Sequence, residues 1–255
     1  YLTDAGGWGN SPGYIDGQLR FDREIFPRCL ECHATYFQSK DLEDDSDNRF
    51  FRDNFVLGIS CEKCHGPGRE HVAYHRDHPN SPAQHIVNPE KLDRDRQIDL
   101  CKQCHSSAGE PIGPSFTYRP GQRLDDFIKL DSLHEQNEIG VHSNNQLARL
   151  TLSNCFQQRE SMTCVTCHNL HVLERGDLPL FSRRCQKCHE ANSCGLHAEL
   201  GDRITKNCID CHLPKLEDKK TKFFGNDRVR TTQIRDHYIT IYDEATRAYL
   251  DAIEE

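Results

Sequence analysis

Twelve cysteines and six histidines recur in one five-residue pattern, Cys-x-x-Cys-His. It occurs at Cys29-Cys32-His33, Cys61-Cys64-His65, Cys101-Cys104-His105, Cys164-Cys167-His168, Cys185-Cys188-His189 and Cys208-Cys211-His212. Thiols at i and i+3 of a helical turn share a face, so both can meet one edge of a flat macrocycle. The next residue then aims its imidazole at the ring centre. This is the attachment pattern of haem c, in which the thiols add across two vinyl groups and the histidine holds the iron. With 14 cysteines and 15 histidines in 255 residues, chance placement gives about 0.04 occurrences of the pattern. A thioredoxin-like redox pair would occur once, beside a βαβ unit. A structural zinc site would couple two Cys-x-x-Cys units with no need of a histidine after each. The expectation is six covalently attached haem c groups, numbered below by their order in the chain.

Six irons need six further ligands. Nine histidines stand outside the motifs, and Met162 is the only methionine, so at most one iron can take a thioether. His71, His75, His142, His171, His197 and His237 are the expected distal ligands, with His78, His85 and His134 in reserve. His71 and His75, four residues apart, fall on one side of a helix and suit two different irons. His171 is the most informative. It lies three residues after His168, a span of at most ~11 Å, so binding a second iron would force two haems into near contact. Cys155 and Cys194 remain outside the motifs, and an oxidising compartment favours a disulfide between them over two buried free thiols.

Hydrophobic residues make up 35% of the chain and aromatics 8%, thin for a conventional core. Porphyrin faces would make up the difference. The fold expected is mainly α with long irregular segments, a haem-stacked core and little or no sheet, tied by thioethers and iron ligation as much as by burial. The formal charge is −8, and ionised propionates on six ferric haems would take it to about −14. That excludes nucleic acid and suits basic redox partners. No stretch approaches 18 apolar residues, so no transmembrane helix is expected. Thioether attachment of haem occurs outside the cytoplasm, which predicts a periplasmic or extracellular protein, read as a processed form because the chain opens at Tyr1.

The positioning elements follow in order. Gly6, Gly7, Gly9, Pro12, Gly13 and Gly17 mark a loop-rich arm carrying Trp8, and 41–47 is an acidic, solvated run. Gly66-Pro67-Gly68 lets the chain leave site 2 sharply. Pro79 ends the helix of His71 and His75. Asn88-Pro89 is read as the start of a helix that runs through Leu92 and Leu100 to Cys101. Ser143 is read as the cap of a helix over 143–158 with Leu147, Leu150 and Phe156, and 236–255 as an amphipathic closing helix. The sites start 32, 40, 63, 21 and 23 residues apart. This spacing predicts an N-terminal three-site half (1–110), a Pro/Gly-rich linker (111–140) and a C-terminal three-site half with the closing helix (141–255).

Three stretches carry a resemblance. The run Cys64-His65-Gly66-Pro67-Gly68-Arg69-Glu70-His71, the run from His142 to Arg149 with Cys155 after it, and Cys167-His168-Asn169-Leu170-His171 resemble multihaem cytochromes of the cytochrome c-554-like family, over roughly 25–240. The resemblance implies that His71 and His171 are distal ligands. The family's Trp-x-x-Ser-x-His stretch after the first site is not recognisable. One reading is that His75 or a neighbouring subunit supplies the distal ligand of haem 1. Haem count and density are also similar to cytochromes that polymerise into extracellular conductive filaments.

Three functions follow. If all irons are bis-histidine, no coordination position is open and the protein carries electrons by hopping between low-potential haems, with no catalytic residues. A reductase of a small nitrogen or sulfur compound would need one open iron, and nine spare histidines argue against one. A polymer in which one distal histidine crosses a subunit boundary is the third.

Overall fold

The computed structural model describes residue 10 and residues 24–40, 50–130, 146–225 and 228–254. Trp8, the acidic run at 41–47, His134, His142 and Ser143 lie outside the described residues.

The chain is mainly helical, its helices short, and its strands form only two-stranded antiparallel ribbons. Helix α1 (Pro27–His33) opens on a proline at its first position, where the missing N–H costs nothing. It passes directly into β1 (Ala34–Ser39), which pairs with β2 (Phe50–Leu57); Phe37 stacks on Phe55 at 5.3 Å. Helix α2 (Glu62–His65) stops at Gly66, whose φ of +79° makes the sharp exit that the Gly-Pro-Gly run predicts. Helix α3 (Arg69–Asp77) ends before Pro79, as expected.

Two expected helices are broken. Asn88 caps only a single 3₁₀ turn, Pro89–Lys91. The chain is extended at Leu92, and α4 (Arg94–His105) starts afresh because the Asp93 carboxylate takes the Arg96 N–H at 2.9 Å. The helix predicted over 143–158 is two pieces, α5 (Gln146–Thr151) and α6 (Asn154–Gln158). Tertiary bonds cause the break. The fully buried Ser153 donates its hydroxyl to His237 O (3.2 Å) and accepts the Ile239 N–H (2.8 Å), which pulls it out of helical register.

Helix α7 (Leu178–Cys185) is capped by Asp177. The short α8 (His197–Leu200) and α9 (Ile209–His212) follow. A long ribbon of β5 (Lys215–Gly225) and β6 (Arg228–Arg235) was not foreseen. The closing helix α10 spans Asp243–Glu254. It starts later than predicted because residues 236–242 form an irregular strap whose carbonyls and N–H groups are used elsewhere. Small ribbons are also made by β3 (Glu110–Pro111) and β4 (Ile128–Lys129).

Only thirteen apolar side chains are buried among the described residues, a core as thin as the composition implies. Its main cluster is Ile98, Leu150, Phe156 and Met162, with Leu147, Cys155, Cys167 and Ile239 packed on it. The Arg94 guanidinium caps the Phe156 ring at 4.2 Å. The expected disulfide is absent: Cys155 and Cys194 are free thiols. Cys155 is drawn to the apolar cluster and lies toward Cys188, whereas Cys194 lies toward Cys211. No helix among the described residues is long and apolar enough to cross a membrane.

Because this cluster is small and joins α4 to the segment entering site 4, Phe156→Ala should cost about 3–5 kcal/mol. Denaturant unfolding followed by far-UV circular dichroism measures it, and a loss under about 1 kcal/mol would mean that the cluster is not the core.

Candidate functional site

Every Cys-x-x-Cys-His motif sits on a helical turn. Sites 1 and 3 are the last turns of α1 and α4, and site 6 spans α9. In sites 2, 4, 5 and 6 the histidine N–H returns to the carbonyl of the first cysteine, at 3.0, 3.0, 3.0 and 3.2 Å. The two thiols and the imidazole of each motif are therefore presented together, as the spacing predicts.

An imidazole that binds a metal must be neutral and offer one bare nitrogen, so its other nitrogen needs an acceptor for its proton. Backbone carbonyls can only accept, and several are placed to do so. His65 Nδ1 donates to Val87 O (2.8 Å) and His212 Nδ1 to Thr240 O (2.9 Å). His71 Nδ1 donates to Gln84 O (2.7 Å) and His237 Nδ1 to Arg235 O (3.2 Å). Each leaves Nε2 bare. At sites 2 and 6 the link has two points, because the Val87 and Thr240 N–H groups return to the His65 and His212 carbonyls (3.0 and 3.4 Å).

The rings also meet in pairs. His65 and His171 have centroids 6.1 Å apart, and His168 and His237 lie near-parallel at 6.2 Å with 22° between planes. Two imidazoles on opposite sides of one metal have centroids about 6.2 Å apart, since each metal–nitrogen bond is about 2.0 Å and each nitrogen lies about 1.1 Å from its ring centre. Both spacings fit that figure. Each pair joins a motif histidine to one of the expected distal ligands. Exposed apolar side chains flank His171 (Leu170, Val172 and Leu173), the chemistry that a porphyrin face covers. The residues present fit haem c.

His237 is held rigidly from both sides. Its neighbour Asp236 is fully buried and takes Arg149 Nε (2.8 Å) and Nη2 (2.6 Å), the Tyr242 hydroxyl (2.8 Å) and the Tyr238 N–H (3.0 Å). Burial alone would raise the Asp236 pKa, but these bonds outweigh it and hold it below the ordinary carboxylate value. Ser153 fixes the His237 carbonyl. Burial pushes the His237 imidazole's pKa down, toward the neutral form a metal requires.

The other histidines are placed less tellingly. His71 and His75 share one face of α3 as expected, with centroids 4.6 Å apart, too close to face each other across one iron. His75 is engaged at both nitrogens, by His78 O (3.2 Å) and the Gln84 N–H (3.4 Å). His78 stacks on Tyr74 at 4.5 Å, and His85 lies against Tyr74 and 3.7 Å from Glu70. His197 opens α8, its N–H on Cys194 O (2.9 Å). His33, His105 and His189 close their motifs, and His105 lies near enough to His168 and His237 to disfavour their charged forms.

The attachment sites touch one another in an order the sequence does not show. Cys32 Sγ approaches Gln103 O (3.4 Å) and Cys104 Sγ approaches Glu31 O (3.9 Å), which mates sites 1 and 3. The Cys101 and Cys164 thiols are in contact, joining sites 3 and 4. Arg184 Nη1 donates to Cys167 O (2.6 Å), joining site 5 to site 4. The Cys208 N–H donates to Ser182 Oγ (2.9 Å), joining site 6 to site 5. Site 2 enters through His65 and His171 and through Thr35, whose hydroxyl takes the Ser60 N–H at 2.7 Å. Sequence reasoning missed the arginines, Asp236 and Ser153. One signal was present: Arg28 and Arg184 each directly precede the first cysteine of a motif.

Hydrogen bonds from Arg184, and one from the Asn169 N–H, hold the Glu174 carboxyl down from 4.5 to about 2. Folding thus depresses this pKa, so the pair's stabilisation is present above pH 4.5 and is lost as pH falls from there toward 2. Glu174→Gln should be less stable than wild type at neutral pH. In an acid titration read by far-UV circular dichroism, that difference should shrink between pH 4.5 and 2; a pH-independent difference would assign the loss to packing.

A family model described as cytochrome c554 and c-prime matches residues 14–66, a segment that contains attachment sites 1 and 2. No curated protein and no solved structure matches the chain. The similarity covers about a fifth of the chain and includes the thiol–imidazole turns of sites 1 and 2.

Proposed function

We propose that the protein is an electron carrier that binds six haem c groups, all bis-histidine, and passes electrons between them without substrate chemistry. Each haem, when bound, supplies reversible one-electron storage at its iron. The chain does the rest. Its paired imidazoles would close both axial positions, its carbonyls fix the tautomers, and its interlocked motifs bring neighbouring sites into contact. His65–His171 and His168–His237 carry the reading, because rings at this spacing would hold an iron between them and would leave no coordination position for a substrate. The pairing also has a consequence for spacing. His168 and His171 are three residues apart, so the groups at sites 2 and 4 would be close neighbours.

Donor and acceptor are then one-electron redox partners outside the cytoplasm, docking where motif edges are exposed. Cys29, Cys61 and Cys188 are exposed, so sites 1, 2 and 5 are the natural ports.

Mass spectrometry of the intact protein should find six added porphyrins, and the oxidised spectrum should be wholly low-spin. His171→Met and His237→Met should each raise the potential of one iron, and of different irons, so the double variant shows both changes. An apoprotein, or both variants acting on the same iron, would overturn the reading. Ligand-exchangeable high-spin iron with nitrite or hydroxylamine turnover would turn it toward a reductase.

A further inference from the structure

Arg28 is a buried cation at the seam between sites 1 and 3. It is 7% exposed, and its neighbour Glu31 is 8%. The guanidinium reaches three acceptors: Ala108 O at 2.6 Å through Nε, Gln103 O at 3.1 Å through Nη2, and the Glu31 carboxylate at 3.0 Å through Nη1. Gln103 lies between the two cysteines of site 3, and Ala108 follows that motif. Glu31, between the cysteines of site 1, neutralises the cation and takes the Phe116 N–H with its other oxygen. That bond holds Phe116 at φ +63°, a conformation costly for a bulky residue unless its surroundings enforce it.

A second arginine repeats the arrangement. Arg184 precedes Cys185 of site 5 as Arg28 precedes Cys29 of site 1. Its Nη1 donates to Cys167 O of site 4, and Glu174 neutralises it with bonds of 2.6 and 2.5 Å. The other four motifs are preceded by Ser60, Leu100, Thr163 and Asn207, none with a charged fork.

We propose that Arg28 and Arg184 are inter-site brackets: each grips a backbone carbonyl of the neighbouring attachment motif and so sets the gap an electron crosses, between sites 1 and 3 and between sites 4 and 5. The proposal rests on the electron-carrier reading above. Covalent chemistry sharpens it. The Cys32 and Cys104 contacts across the site 1–3 seam are made by S–H groups, and a thioether has no such proton. Once both sites are loaded, the polar ties left across that seam are the Arg28 fork and the Glu31–Phe116 bond, and of these only the fork grips the site 3 motif itself. A planar guanidinium can hold three fixed acceptors at once. A lysine ammonium at the same place keeps the charge but not the fork geometry.

The test uses the holoprotein with Arg28→Lys, Arg28→Gln, Arg184→Lys and Arg184→Gln. Haem count comes from mass, axial ligation from the visible spectrum, coupling between neighbouring haems from the Soret circular dichroism couplet, and intramolecular transfer from stopped-flow reduction. Six low-spin haems are expected in each variant, with a weakened couplet and transfer slowed several-fold, as much for lysine as for glutamine. Potentials should stay near wild type in the lysine variants, because the charge is kept. A wild-type couplet and rate in the lysine variants would overturn the bracket while leaving the electron-carrier reading intact. Loss of low-spin haem from the wild type itself would instead break the underlying reading. If the buried Arg28 variants fail to mature, the Arg184 pair, whose side chain is 15% exposed, decides the matter by the same readouts.

Discussion

The constraint on which this structure depends is that an imidazole serving a metal must give its remaining proton to something that can only accept it. Helices cannot supply such acceptors from their interiors, because their carbonyls are already bonded. Irregular chain can. Val87, Gln84, Arg235 and Thr240 each lend a carbonyl to a histidine. Gln84, Val87 and Thr240 lie in segments without regular structure, and Arg235 is the last residue of β6. The long non-helical stretches are thus more than connectors between attachment sites. They supply the carbonyls that fix these imidazoles, and a more regular fold would leave those rings free to turn.

The same logic explains why so few apolar residues suffice. A core of thirteen buried apolar side chains is small for a chain of this length. The polar bonding is correspondingly dense, with the buried pair Arg28–Glu31, the pair of Arg149 with the buried Asp236, and the half-buried pair Arg184–Glu174 each held by several hydrogen bonds. Buried ion pairs are weak contributors to stability beside hydrophobic packing of equal volume. Their value is geometric. Asp236 fixes a backbone turn around His237 by four hydrogen bonds to three residues, and a Leu or Met in its place could fill space without fixing anything. Placement of a ring to within a fraction of an ångström is what axial ligation demands, and directional bonds supply it.

Much of this was legible in the residues. The motif turns, the end of α3 before Pro79 and the scarcity of sheet all follow from local spacing, and local spacing is what a sequence displays. The errors also share a cause. The helix predicted through Ser153 breaks because of partners 84 and 86 residues away, and the Asn88 helix breaks at the extended Leu92, after which Asp93 caps a fresh start. The closing helix yields its first residues to a strap that bonds His212 and Ser153. In each case a tertiary or competing polar bond overrode a sound local preference. The pairing of histidines lay further out of reach. His65 belongs to site 2 and His171 follows site 4 by three residues, and nothing in their own neighbourhoods marks one for the other.

The spatial order of the sites shows how far chain order and physical order can part. Along the chain site 2 lies between sites 1 and 3, yet the motif loops of 1 and 3 interlock through Gln103 and Glu31. Site 2 stands aside, reached through Thr35 and through His171. The 63-residue gap between sites 3 and 4 reads in sequence as a separation, but Arg94 closes it by donating to Met162 O (2.9 Å) and Phe156 O (3.2 Å). A long connection costs little extra entropy when its ends are pinned, since closure entropy grows only with the logarithm of loop length. Contacts of this kind therefore let motifs far apart in the chain become the nearest neighbours in space. For the electron carrier proposed above, spatial neighbours are what would count.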